Sequence, residues 1–213
     1  MLEHTRFCVE VDAMPELRWA RRAALTMLLS GALLAFAPSG ARALNDDEAK
    51  QFVEETVGEV VTLINANGPP ATQASGLRAL LERRADMDAI ARYSLGVAWR
   101  SASDAEKGAF TEAFKDYIAA KYSRRFNDYR NEAVQVRRAV DEGQRGFRVL
   151  TEIGGTSERV AVEWRLTDRN GPTRVFDLVI EGVSLLTSER ELIGSLLEQR
   201  GGDINAVIAD IRS

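Results

Sequence analysis

The sequence predicts an α+β fold, a four-stranded antiparallel meander with one face covered by about five to six helices. Three observations carry the prediction. Apolar residues recur at helical spacing from Asn45 to about Phe126. The period drops to two between Asn131 and Ile180, where short turns separate the runs. Helical spacing then returns from Glu191 to Ile211. Strands in one block joined by short turns form a meander most simply. Clean alternation leaves one sheet face apolar, and the helices must cover it.

The N-terminal stretch stands apart from this domain. Arg18, Arg21 and Arg22 precede the apolar run Ala23–Ala37, and Ala41-Arg42-Ala43 offers a small-x-small cleavage site. These are the three regions of a secretory signal peptide. Residues 1–43 are therefore expected to be removed, leaving 44–213 as a single domain. Met14 is a reasonable start, which would leave residues 1–13 untranslated. A membrane anchor is the alternative, but a span needs about 20 apolar residues, and Pro38, Ser39 and Gly40 close this run early. Arg21-Arg22 raises twin-arginine export, Ala23-Ala24 continues that motif poorly, and the export route stays open.

The helices come next. Asn45 with Glu48 makes a capping pair, and Val53, Val57, Val60, Val61 and Ile64 form one stripe, ended by Gly68-Pro69-Pro70. Thr72 to Ala85 follows, with Leu77, Leu80 and Leu81 inward and Arg83-Arg84 on a solvated face. Asp86 to Trp99 reads as a helix with a break near Gly96. Ser103 and Glu106 then make a capping box for a long helix to about Phe126. Phe110, Phe114, Tyr117, Ile118 and Tyr122 share its inner face. Such a stripe packs a core or walls a cavity, and the two look alike in sequence.

In the strands, Val134, Val136 and Val140 alternate with polar neighbours, and Asp141-Glu142-Gly143 is a turn. Phe147, Val149, Thr151 and Ile153 form the second strand, closed by Gly154-Gly155. Val160, Val162, Trp164 and Leu166 form the third, and Asn170-Gly171 marks a hairpin. In the fourth, Phe176, Leu178 and Ile180 are expected on the apolar face, with Asp177, Val179 and Glu181 opposite. A helix from Glu191 to Arg200 and one from Asp203, with Ile204, Val207, Ile208 and Ile211 inward, close the chain.

The available chemistry is sparse. The only His and Cys, His4 and Cys8, fall in the expected signal peptide. Its removal takes five of 28 basic and four of 32 acidic residues, leaving 23 and 28, net −5. No disulfide, His metal ligand, Cys nucleophile or Ser-His-Asp triad remains. A mildly acidic chain without a basic tract is a poor nucleic-acid binder. Asp177 and Glu181 are the best carboxylate pair, but four strand residues separate their Cα atoms by about 13 Å, a poor fit to glycosidase spacing. Each is expected to satisfy local backbone or to pair with an arginine such as Arg190. Ser184 lacks a G-x-S-x-G frame and a base, so a turn hydrogen bond is its expected role. The domain reads as exported and non-enzymatic, with no cofactor, and with an apolar helix facing an apolar sheet face. Shielding lipid tails in a dry slot is worth about 0.8 kcal/mol per CH₂ and needs no catalytic group.

Three segments resemble the MlaC (toluene-tolerance, Ttg) family over about Asp47 to Ile211. The first runs from Met87 to Phe126 and carries Ile90, Ala91, Leu95, Gly96, Trp99, Phe110, Phe114 and Tyr122 in the family's spacing. The second is the strand pair around Val149-Leu150-Thr151 and Val162-Glu163-Trp164-Arg165-Leu166. The third and most specific is Val175–Leu185, VFDLVIEGVSL. Two features depart from the pattern. Thr173-Arg174 stands where the family usually has a Trp, and Ser188-Glu189-Arg190 replaces its Tyr with an acid.

The resemblance implies the same fold enclosing a deep apolar pocket for the acyl tails of phospholipid or another membrane lipid. It implies a periplasmic carrier that shuttles between an outer-membrane lipoprotein complex and an inner-membrane ABC transporter with its MCE-domain protein, without stable membrane insertion. A hopanoid-linked (HpnM-like) branch shares the fold, so a hopanoid is an alternative cargo. Together, resemblance and patterning place Ile90, Leu95, Trp99, Phe110, Phe114, Tyr117, Ile118, Val149, Val162, Trp164, Phe176, Leu178 and Ile180 on the pocket wall. A lipid-independent scaffold, with these faces as plain core, is the competing class.

Overall fold

The computed structural model of the protein describes residues 44–213, apart from 67, 155–158, 170 and the side chain of Asn127. The expected signal peptide lies outside these residues, as do Gly155 and Asn170 of the expected turns. Seven α-helices and five strands form the described domain.

Helix α1 (Asp46–Asn65) starts where the sequence places it. Asn45 and Glu48 cap each other's backbone N–H groups, and three acids occupy the first turn, at the positive end of the helix dipole. Helix α2 (Pro70–Arg84) begins two residues before the expected start, because Pro70 pre-sets the φ of a first helical turn. The Arg83-Arg84 pair is engaged with α1. Both arginines bind Glu59, at 2.7 and 2.6 Å, and Arg84 also stacks over Phe52.

Helix α3 (Met87–Leu95) stops at Gly96, whose φ of +64° a side chain would resist. A Cβ there would also meet the Arg190 guanidinium at 3.1–3.2 Å. A single turn, α4 (Ala98–Ser101), carries Trp99. Helix α5 (Asp104–Ser123) has the complete Ser103/Glu106 capping box and buries Phe110 and Phe114 fully. Burying a side chain of that size contributes about 1.5–3 kcal/mol.

The strands β1 (Val134–Asp141), β2 (Phe147–Ile153), β3 (Val160–Thr167), β4 (Arg174–Ile180) and β5 (Val183–Ser184) pair antiparallel in chain order. The two-residue β5 adds an edge to the expected four-stranded meander. The β1–β2 turn closes on Gly146, where φ is +89° and a Cβ would lie 2.0 Å from the Leu166 carbonyl oxygen.

Two bulges change which side chains share a face. In β1 the register slips between Val136 and Arg138. Val134, Val136 and Ala139 therefore pack against the core, and Val140 turns away, opposite Arg148. In β4 the slip lies between the partners of Arg165 and Leu166. Leu178 and Ile180 pair with Trp164 and Val162 on the apolar face, and Val175 joins them opposite Leu166. Phe176, expected on that face, is displaced to the other one, where it lines a polar cavity with Arg148, Glu163 and Arg165. The extra residue of a bulge breaks strict alternation, which is why a period of two misplaced it.

Helix α6 (Leu185–Gln199) also differs from its expected start near Glu191. Ser184 Oγ caps Thr187 N–H at 3.1 Å, and Asp177 Oδ1 accepts from Leu186 N–H at 3.0 Å. These bonds satisfy first-turn donors and let the helix begin directly after β5. Helix α7 (Ile204–Arg212) is capped by Asp203 and buries Ile204, Val207, Ile208 and Ile211. Helix α1 lies over β1 and β2, α3 and α6 pack on each other and on β4, and α5 packs against α2, α3 and α7.

Candidate functional site

The apolar sheet face and the helices above it form one continuous cluster. Of the residues proposed from sequence, Leu95, Phe110, Phe114, Ile118, Val149, Val162 and Trp164 are buried in it, and Ile90, Trp99, Tyr117, Leu178 and Ile180 are half-buried against it. Phe176 is the exception and lies outside the cluster. Along α5, Phe110 and Phe114 stack at 5.6 Å, and Phe114 and Tyr117 meet at 6.1 Å. This is the aromatic row that the i, i+4, i+7 spacing foretells.

The floor of the layer hides its polar atoms. Trp164 Nε1–H donates to Thr151 Oγ1 at 3.0 Å, and Thr151 Oγ1 donates to the Val162 carbonyl at 3.3 Å. Both groups are buried, and both are satisfied without leaving an unpaired polar atom in the apolar cluster. The interior between sheet and helices is thus apolar, with its buried polar atoms paired among themselves.

At the other end of α5 the layer meets a polar cluster that sequence reasoning did not find. Glu189, on α6, is 2% exposed. Its Oε1 accepts from Lys121 Nζ at 2.6 Å and from Tyr122 OH at 2.7 Å, and its Oε2 accepts from Tyr117 OH at 3.1 Å. Lys121 also donates to the Tyr117 hydroxyl at 2.9 Å. Burial, reinforced by the Glu189 charge, pushes the Tyr122 phenol far above its ordinary range. Tyr117 rises as well, mainly through burial, with Lys121 opposing. Burial works against the Lys121 charge, but its bonds to Glu189 and Tyr117 outweigh that and raise its pKa.

The signal for this cluster is visible in hindsight. Glu189 stands four residues before the buried Ile193, on the inner stripe of α6, and Lys121 follows Tyr117 at i+4. Tyr117 and Tyr122 thus wall the layer with their rings and turn their hydroxyls to a carboxylate.

The expected carboxylate pair does not converge. Asp177 is buried and accepts from Ser184 Oγ–H at 2.8 Å and from Leu186 N–H. Glu181 is exposed, at φ +49°, and accepts from Ala161 N–H. Arg190 pairs with neither. It donates to the Tyr93 carbonyl at 2.6 Å and stacks on that ring at 4.8 Å. Among the described residues, no group of three or more His, Cys, Asp or Glu is placed to hold a metal ion.

Comparison with known proteins follows the same lines. A family model described as MlaC protein matches residues 50–213. The intermembrane phospholipid transport system binding protein MlaC of Haemophilus influenzae is 25% identical over 114 residues, which are 51% of this chain and 53% of that protein. The match therefore spans about half the length of that relative. Among solved structures, the phospholipid-binding protein of Ralstonia solanacearum in complex with a phospholipid superposes with a TM-score of 0.64 at 19% identity. That match covers 76% of this chain and 94% of the other. At such identity the likeness establishes the shared fold.

Proposed function

The chain belongs to the MlaC family, and we propose on that footing that it is a periplasmic phospholipid carrier rather than an enzyme. The observation that carries this reading is the apolar layer between β2–β4 and helices α3 to α5. There the aromatic row of α5 shares one apolar cluster with Val149, Val162, Trp164, Leu178 and Ile180. Acyl tails entering such a layer leave water at a gain of about 0.8 kcal/mol per CH₂, so two tails bind firmly without covalent chemistry. The twelve wall residues other than Phe176 are the proposed lining.

The wider role follows from the same reading. Residues 1–43 direct export and are cleaved. The carrier then meets an outer-membrane lipoprotein complex on one side and an MCE-domain ABC transporter on the other. Within the described residues no helix is long and apolar enough to cross a membrane.

Native mass spectrometry with organic extraction tests the proposal on protein purified from a bacterial periplasm. A stoichiometric phospholipid that survives purification is the expected result. A hopanoid mass would keep the carrier role and change the cargo. A clean apo mass with no uptake from labelled liposomes would overturn the carrier role and leave a scaffold.

A further inference from the structure

The sheet face turned away from the apolar layer carries a second concave feature. The β1–β2 and β3–β4 turns stand at the same end of the meander, as the antiparallel register requires. Beneath them lies a cavity of about 540 Å³, lined by Arg145, Arg148, Arg165 and Arg169 together with Glu142 and Glu163. Phe176 forms its apolar wall, placed there by the β4 bulge.

The charges in this cavity do not cancel. Arg148 and Arg165 are direct cross-strand partners, and like charges so placed destabilise a sheet. Both glutamates lean toward Arg148, Glu142 at 2.9 Å from Nε and Glu163 at 3.7 Å from Nη1. Arg165 comes only within 3.8 Å of Asp177, whose oxygens already accept from Ser184 and Leu186. The Nε atoms of Arg148 and Arg165 are buried without a hydrogen-bond acceptor, and the Glu142 contact to Arg148 lies off the N–H direction. Arg145 and Arg169 have no side-chain hydrogen bond or ion pair among the described residues. Four guanidinium groups against the two lining carboxylates, with Asp177 a third acid beside Arg165, leave an excess of one positive charge, in a chain whose formal net charge is −4.

We propose that this cavity is a binding site for a phosphomonoester. Such a group carries about −1.5 to −2 charges near neutral pH and three strong acceptor oxygens. It therefore matches both the excess charge and the exposed guanidinium donors of Arg145 and Arg169. Guanidinium forks suit phosphate oxygens in pairs, and Phe176 packs against the carbon next to the ester. The site lies on the opposite sheet face from the acyl layer and does not depend on lipid being held there.

The test uses the purified exported protein and the double variant Arg145→Gln/Arg169→Gln. Both positions are exposed turn residues, so the variant should melt with the parent. Inorganic phosphate and sn-glycerol 3-phosphate are titrated by calorimetry and by arginine Nε–H resonances, at ionic strength matched with potassium chloride. Phosphatidylcholine vesicles with and without phosphatidate are tested by co-flotation. The expected result is saturable binding that the double variant weakens about tenfold or more. Titration by the small phosphates identifies a soluble ligand, and retention by phosphatidate vesicles alone identifies a lipid headgroup. The proposal is overturned if neither source binds at millimolar phosphate, if chloride competes equally, or if the double variant binds as the parent does.

Discussion

Lys121 Nζ lies 2.6 Å from Glu189 Oε1, and the glutamate is buried while the lysine side chain is 40% exposed. The pair joins α5 to α6 at the end of the aromatic row. The lysine can retreat to water if the contact breaks, but Glu189 and the two phenols cannot. The burden of the cluster therefore falls on the carboxylate and its tyrosines.

Replacing Glu189 by Gln keeps the volume and removes the charge that three donors share. We expect a loss of about 1–3 kcal/mol, read as a lower denaturant midpoint at unchanged slope. An unchanged midpoint would mean that the cluster adds nothing to the α5–α6 contact.

The same cluster sets an alkaline limit. Tyr117, Tyr122 and Lys121 all have folded pKa values above their ordinary ones. Their contribution is complete below the unfolded values, near pH 10 for Tyr and 10.5 for Lys. It drains away as pH rises through the folded values. Unfolding midpoints measured from pH 8 to 11.5 should fall only in the upper part of that range, and less steeply in Glu189→Gln. A decline that began below pH 9 would point to other groups.

The β4 bulge separates neighbours that sequence patterning put together. Leu178→Glu places a charge in the apolar layer and should abolish lipid uptake from labelled liposomes in a protein whose circular dichroism is unchanged. Phe176→Glu, on the opposite face, should leave uptake within about twofold of the parent, since its side chain lies outside the apolar cluster. Equal losses in both variants would refute the assignment of faces.

Two glycines should respond in opposite directions to alanine. Gly146→Ala meets the Leu166 carbonyl in a left-handed conformation, and should cost more than about 2 kcal/mol. Gly108→Ala is exposed within α5 and meets nothing within 4 Å, and should stabilise by about 0.5–1 kcal/mol. Thermal melts of the two variants check both signs.

Much of this domain was legible because its periodic signals are long. The α5 stripe from Phe110 to Tyr122 and the alternation from Val160 to Leu166 each repeat often enough to fix an element and its buried face. What escaped was set by single residues. One extra residue in β4 moved Phe176 across the sheet, and one in β1 turned Val140 away from the core. Ser184 and Asp177 started α6 six residues early through hydrogen bonds that no period reveals. Glu189 escaped because a lone acid on an apolar stripe resembles a solvated residue until its three donors arrive from another helix.

The bulge in β1 has a further effect, on encounters between copies of the protein. On the far side of the sheet, β5 covers one end of the β4 edge and a bridge from Ala85 to Val175 covers the other. β1 is left as the long edge strand of the described sheet, opposite the two-residue β5. Its register breaks beside Arg137 and Arg138, both exposed. A flat strand would offer an unbroken ladder to a neighbouring molecule. A bulged strand carrying adjacent arginines offers neither a continuous row of donors and acceptors nor a neutral surface. Edge-to-edge pairing between copies is thereby disfavoured at the β1 margin of the described sheet.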